Sequence, residues 1–151
     1  MAISEYQRQA AEFLQASGTV MSINKIGTVD GFPFDSKDTR PHDKYIVVLR
    51  SNGKTYDFPF YDSAHNYYVN QDRVYCGQRA IKPTAYDILA CLQSYPVEAD
   101  VWDFANEFGY EIDSRESFNR VNEIHRECRK QYAALLDLFG EEWMEKLAEI
   151  Q

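Results

Sequence analysis

The pair Asn52-Gly53 leaves this chain fewer choices than any other two residues in it. The runs on either side, Lys44 to Arg50 and Lys54 to Tyr61, alternate large apolar residues with polar or smaller ones, and the pair between them tolerates the positive φ angles of a two-residue type I′ turn. A hairpin of that kind fixes its own register. With Ser51 opposite Lys54, Leu49 faces Tyr56, Val47 faces Phe58 and Tyr45 faces Phe60. Six large side chains then share one face, and the rest of the chain must cover it. Pro59 cannot donate to a ladder, so the second strand is an edge there or ends there.

Before the hairpin, Ser4 is placed to cap a short amphipathic helix with Tyr6, Ala10, Phe13 and Leu14 on one side and Gly18 as its stop. Thr19 to Ile26 reads as an edge strand, with Met21 and Ile23 facing one way and Val20, Ser22 and Asn24 the other. Gly27 to Asp43 carries four aspartates and little periodicity and is expected to be a loop, with Asp30-Gly31 turning inside it. After the hairpin, Asp62 to Ile81 mixes aromatic and polar residues in a way that suggests a second small hairpin turning at Gln71-Asp72.

At Lys82-Pro83-Thr84 the periodicity changes to helical. Thr84 with Asp87 resembles a capping box opening a helix to about Ser94. Glu98 to Phe108 predicts a second helix, facing inward with Val101, Trp102, Ala105 and Phe108 and stopped by Gly109. Asp113 and Glu116 suggest a further capping box for the longest helix. Its stripe is Phe118, Val121, Ile124, His125, Cys128, Tyr132, Leu135 and Phe139, and Gly140 is expected to end it. Glu141 to Ile150 reads as a last short helix. The expectation is α+β in one domain: an N-terminal helix, a small antiparallel sheet, and about four C-terminal helices packed on it, with residues 1–81 forming the sheet part and 82–151 the helical part.

Charge divides the chain at the same place. Residues 1–97 hold ten Lys or Arg and ten Asp or Glu, whereas 98–151 hold six and fourteen, so the net −8 belongs to the second part. An acidic surface repels nucleic acid and speeds encounter with basic partners. The carboxylates Asp100, Asp103, Glu107, Glu111, Glu123, Glu127, Asp137, Glu141, Glu142, Glu145 and Glu149 are therefore the candidate partner-binding set. A rigid helical cluster of that charge could occupy a groove built for a phosphate backbone. The one aromatic and cationic concentration, Tyr67, Tyr68, Arg73, Tyr75, Arg79 and Lys82, is the alternative: rings to stack bases and cations for phosphates, as in a single-stranded nucleic-acid-binding module. The net charge of the chain disfavours that alternative.

Other chemistries have weaker signals. His125 and Cys128 at i and i+3 could reach one metal ion, but a tetrahedral zinc site needs two more ligands and the short Cys-x-x-Cys spacing is absent. Neither a Gly-x-Ser-x-Gly elbow nor a glycine-rich phosphate loop occurs, so no catalytic residue, metal or cofactor is assigned. Asp30, Asp35, Asp38 and Asp43 do not follow the spacing of a calcium-binding loop. Three widely spaced cysteines predict no disulfide. No apolar run of membrane-spanning length and no basic, apolar leader is seen, which points to the cytoplasm.

The stretch Lys82-Pro83-Thr84-Ala85-Tyr86-Asp87-Ile88-Leu89-Ala90-Cys91-Leu92, with Asp103-Phe104, Glu107-Phe108-Gly109-Tyr110 and Asp113-Ser114-Arg115, resembles a family of small uncharacterised proteins of bacteriophages and prophages. The resemblance covers residues 82–151 and, more loosely, the strands before them. Tyr95-Pro96-Val97-Glu98 departs from the family's glycine-containing link, and Ala105 stands where a cysteine is common. What the resemblance implies is an origin in a mobile element and a non-enzymatic role as an inhibitor of host defence, anti-CRISPR proteins being one class. The expected partner is a host protein or nucleoprotein complex in the host cytoplasm. The hairpin edge or the long helix could also support a homodimer.

Overall fold

The computed structural model describes residues 5–93 and 99–150, with the side chains of 92–93 and 143–150 excepted. Eight elements follow one another along these residues. They are α1 (Glu5–Ala16), β1 (Val20–Asp30), β2 (Pro41–Ser51), β3 (Lys54–Tyr61), α2 (Ala64–Tyr75), α3 (Ala85–Gln93), α4 (Val101–Phe108) and α5 (Arg115–Ile150). The class is α+β, with three antiparallel strands in the order β1-β2-β3.

Strands β2 and β3 pair with Ser51 opposite Lys54, Leu49 opposite Tyr56, Val47 opposite Phe58 and Tyr45 opposite Phe60. Asn52 and Gly53 connect them at φ 52 and 76, the left-handed region that a type I′ turn requires. Tyr45, Val47 and Leu49 are buried with Phe58 and Phe60. That face is covered by Ala10, Phe13 and Leu14 of α1, Ile88 and Leu89 of α3, and Leu135 and Phe139 of α5, which together form the larger core.

The segment between β1 and β2 is more ordered than an acidic loop would be. Strand β1 continues past a bulge between Lys25 and Gly27 as far as Asp30, which pairs with Pro41, so the loop is confined to residues 31–40. Within it Phe32 and Phe34 reach a second core made with Phe104 and Ala105 of α4 and Val121 and Cys128 of α5. The aspartates act locally: Asp35 accepts from the Lys37 N–H at 3.0 Å and Asp38 from the Arg40 N–H at 2.9 Å. Short polar side chains that bond the backbone two residues on are turn makers, and here they present two phenylalanines.

Residues 62–81 do not form a second hairpin. Ser63 caps α2 by accepting the Asn66 N–H at 3.1 Å, and Gln71 and Asp72 lie inside the helix. The stop is a Schellman motif: Gly77, at φ 77, donates to the Val74 carbonyl and Gln78 to that of Arg73. Alternation of Tyr and Val with polar residues suggested strands, but the cap at one end and the left-handed glycine at the other are helix signals, and they prevail.

Among the described residues α3, α4 and α5 follow residue 82, and α5 is two helical runs joined across a kink. Thr84 and Asp87 exchange the reciprocal bonds of a capping box, Thr84 N–H to the Asp87 carboxylate at 2.8 Å and Asp87 N–H to the Thr84 hydroxyl at 3.3 Å. Asp100 caps α4, and the expected beginning at Glu98 lies outside the described residues. The buried residues of α4 are Phe104 and Ala105, with Val101 and Phe108 packed beside them, whereas Trp102, expected inside, is 57% exposed. Helix α5 is capped by Ser114 and Ser117 instead of Asp113 and Glu116: Ser117 N–H reaches the Ser114 hydroxyl at 3.1 Å, and the Ser117 hydroxyl receives the N–H groups of Asp113 and Ser114. Gly140, at φ 76 and ψ 167, is non-helical and ends the long run of α5, so the segment from Glu141 is a second helical run joined to the first across a kink. The side chains of 143–150 in that segment are not among those described.

Candidate functional site

Two surfaces gather the residues with binding chemistry. The first is α4 with the turn after it. From Pro83 to Ser114 the chain has seven Asp or Glu and no Lys or Arg. Phe104 and Ala105 turn one side of α4 to the core, which leaves Trp102, Asp103, Asn106 and Glu107 on the opposite side, all exposed. Asp100, Glu111 and Asp113 are exposed at its two ends. The Trp102 ring leans on Phe118 of α5, with centroids 5.7 Å apart, and keeps more than half of its surface in water. An anchored yet open tryptophan among carboxylates is unlike an ordinary solvated helix face.

The other acidic candidates do not join this ridge as one surface. Glu123 and Glu127 are exposed on α5, interleaved with exposed Arg126, Arg129 and Lys130. Asp137 is used inside the fold: it accepts from Lys54 Nζ at 3.1 Å and from the Tyr56 hydroxyl, ties that hold its carboxyl below the usual range. Glu141 and Glu142 are exposed just past the Gly140 break, and the side chains of Glu145 and Glu149 lie outside those described.

The second surface is a groove between α2, the segment after it and the open end of the sheet's covered face. Its cavity is about 730 Å³, and its lining includes Lys25, Asp43, Tyr45, Tyr67, Tyr75 and Lys82. Thus three of the six aromatic and cationic candidates, Tyr67, Tyr75 and Lys82, meet there. Tyr68 stands edge-on to Tyr67, with centroids 5.4 Å apart. Arg73 is a fastener, its Nε donating to the Arg79 carbonyl at 2.8 Å, and Arg79 is exposed beyond it. Asn70 pins the same strap twice, donating to the Ile81 carbonyl at 3.0 Å and accepting its N–H at 2.7 Å.

The groove floor comes from β1 and β2; Lys25 and Tyr45 lie in expected strands, whereas Thr28 and Asp43 lie where a loop is expected. Asp43 is buried and accepts from the Thr28 hydroxyl at 2.9 Å and from Lys25 Nζ at 3.2 Å. Tyr45 is 3% exposed, and burial, aided by the nearby Asp43 and Asp62 carboxylates, pushes its hydroxyl up to about 12. Period-two alternation through Asp43 and Tyr45 is the signal that could have placed both on one face.

The remaining candidates serve the fold. Cys128 is buried and its thiol is pushed up to about 12, chiefly by burial, which suits packing and not nucleophilic attack. His125 rests on Phe104 with centroids 4.7 Å apart, and neither ring nitrogen has a hydrogen-bond partner among the described residues. No group of three or more His, Cys, Asp or Glu placed to hold a metal ion occurs among the described residues. Among the same residues no helix is long and apolar enough to cross a membrane.

Comparison with known proteins finds no matching family model, no matching curated protein and no matching solved structure.

Proposed function

We propose that the protein acts by binding and not by catalysis: a phage-type accessory protein that occupies a basic surface of a nucleic-acid-handling host complex, with CRISPR effectors as the defence class to test first. The observation that carries this reading is the α4 ridge, in which the exposed Trp102 shares the outer side of the helix with Asp103 and Glu107 on a stretch without a single basic residue. Tryptophan is prominent among residues that dominate interface energetics, and its ring face attracts Arg and Lys. Carboxylates around it steer a cationic partner and repel competing nucleic acid. The site of action would be the host cytoplasm. The buried, weakly acidic thiol of Cys128 supports a role without nucleophilic chemistry.

The test is retention of host complexes on the immobilised protein. A nucleic-acid-handling complex should be recovered and displaced by its own oligonucleotide. Trp102→Ala and the double reversal Asp103→Lys with Glu107→Lys should each weaken retention at least tenfold, the second in a salt-dependent way. Retention that ignores all three substitutions sinks the proposal.

A further inference from the structure

The groove beneath α2 is separate from the acidic ridge, and its lining has a chemistry of its own. We infer that it binds a nucleotide, taken free or as one unit of a single strand, with the base between α2 and the sheet and the phosphate at the lysine rim.

At about 730 Å³ the cavity has the dimensions of a small-ligand site. Its wall is aromatic, and Tyr75 leaves 93% of its surface in water. A ring with so little packing to lose gains most from a flat partner, and every base offers a π-face. The floor supplies a polar counterpart. The Tyr45 hydroxyl belongs to a side chain almost wholly buried that lines the cavity, where a ring nitrogen or carbonyl of a ligand would meet it. Beside it the Asp43 carboxylate is already balanced by Lys25. A neutral, hydrogen-bonding ring therefore fits the floor better than a free cation does.

Lys82 lies at the rim with no ion-pair partner among the described residues, one position beyond the Ile81 backbone that Asn70 holds at two points. It is thus presented by a strap set before any ligand arrives, which lowers the entropy cost of binding. Lys25 and Lys82 face Asp43 and the exposed Asp72, so the lining is electrically even. One phosphate at Lys82 matches that balance, and a long phosphate track does not.

Titration calorimetry of the full chain at low salt tests this with four probes: nucleoside monophosphates, the corresponding nucleosides, a single strand of about ten nucleotides, and choline. Saturable binding of the monophosphates is expected. Tyr45→Phe, which removes one oxygen, and Tyr75→Ala, which alters an exposed ring, should each weaken it at least tenfold. Lys82→Gln should weaken monophosphates and leave nucleosides unchanged. A strand that binds no better than the monophosphate identifies the free nucleotide as the ligand, and one that binds at least tenfold better identifies the strand. The inference is overturned if no probe binds, if binding ignores Tyr45→Phe and Tyr75→Ala, or if choline binds in preference to nucleotides.

Discussion

The His42 ring sits with its Nε2 3.0 Å from the Asp38 carboxylate, while its Nδ1 lies 2.7 Å from the Asp62 carbonyl. The ring lies between two oxygen acceptors and so joins the 31–40 loop to the end of β3. Asp38 also accepts from the Arg40 guanidinium, which with the Arg40 backbone N–H and then His42 holds its carboxyl well below the usual range.

Asp38→Asn should therefore lower stability at neutral pH. The folded-state value of Asp38 lies below the unfolded one, so its contribution is present above about pH 4 and fades as pH falls toward the folded-state value. Urea denaturation at pH 7 and pH 3 should show a wide gap between the two proteins at the higher pH and a narrower one at the lower. A gap independent of pH would assign the effect to something other than this carboxylate.

Phe104→Ala should cost about 3–5 kcal/mol, the usual range for deleting a buried aromatic ring. The ring is fully buried and meets Phe108, Tyr110 and His125, with centroids 4.9, 6.2 and 4.7 Å away. By contrast, Trp102→Ala on the same helix should cost far less, since that ring is largely in water. Chemical denaturation of the two variants side by side checks the ranking.

That contrast indicates what the sequence could and could not convey. The register of β2 and β3, the Thr84 and Asp87 box and most of the inner stripe of α5 follow from spacing alone, because local geometry determines them. Trp102 and Phe104 lie two positions apart on a short helix, and which of them faces inward depends on where Phe32 and Phe34 arrive from the distant β1–β2 loop. Nothing local reports that. The groove escapes for the same reason: its wall reads as a hairpin and half of its floor, Thr28 and Asp43, as a loop, although Ser63 and Gly77 mark the helix and Asp43 and Tyr45 share a face. Only the acidic bias of α4 was legible at both levels.

Gln131→Leu should stabilise the protein. Gln131 is 4% exposed, and neither its amide oxygen nor its nitrogen has a partner among the described residues. An unpaired buried polar group costs about 1–3 kcal/mol, and replacing it with an apolar residue of similar size recovers part of that. For a chain of this length, 1 kcal/mol moves the melting temperature by about 2–4 °C, which calorimetry can resolve.

Gly77→Ala separates backbone from packing. An added Cβ there meets nothing within 4 Å, so the penalty comes from φ +77 alone, about 1–2 kcal/mol for a residue with a side chain. Because Gly77 turns the chain from α2 into the strap that Asn70 and Arg73 fasten, hydrogen exchange should speed up at Gln78 and Ile81 before it changes in β2.

Helix α5 contributes Val121 and Cys128 to one core and Leu135 and Phe139 to the other. It is in effect a shared beam, and neither core can come apart while the beam keeps its shape for the other. Heat should then dismantle the molecule in one event, with near-ultraviolet signals from the tyrosines over the sheet and from Trp102 changing together. A partner that grips the ridge would stiffen, through the same beam, a groove it never touches.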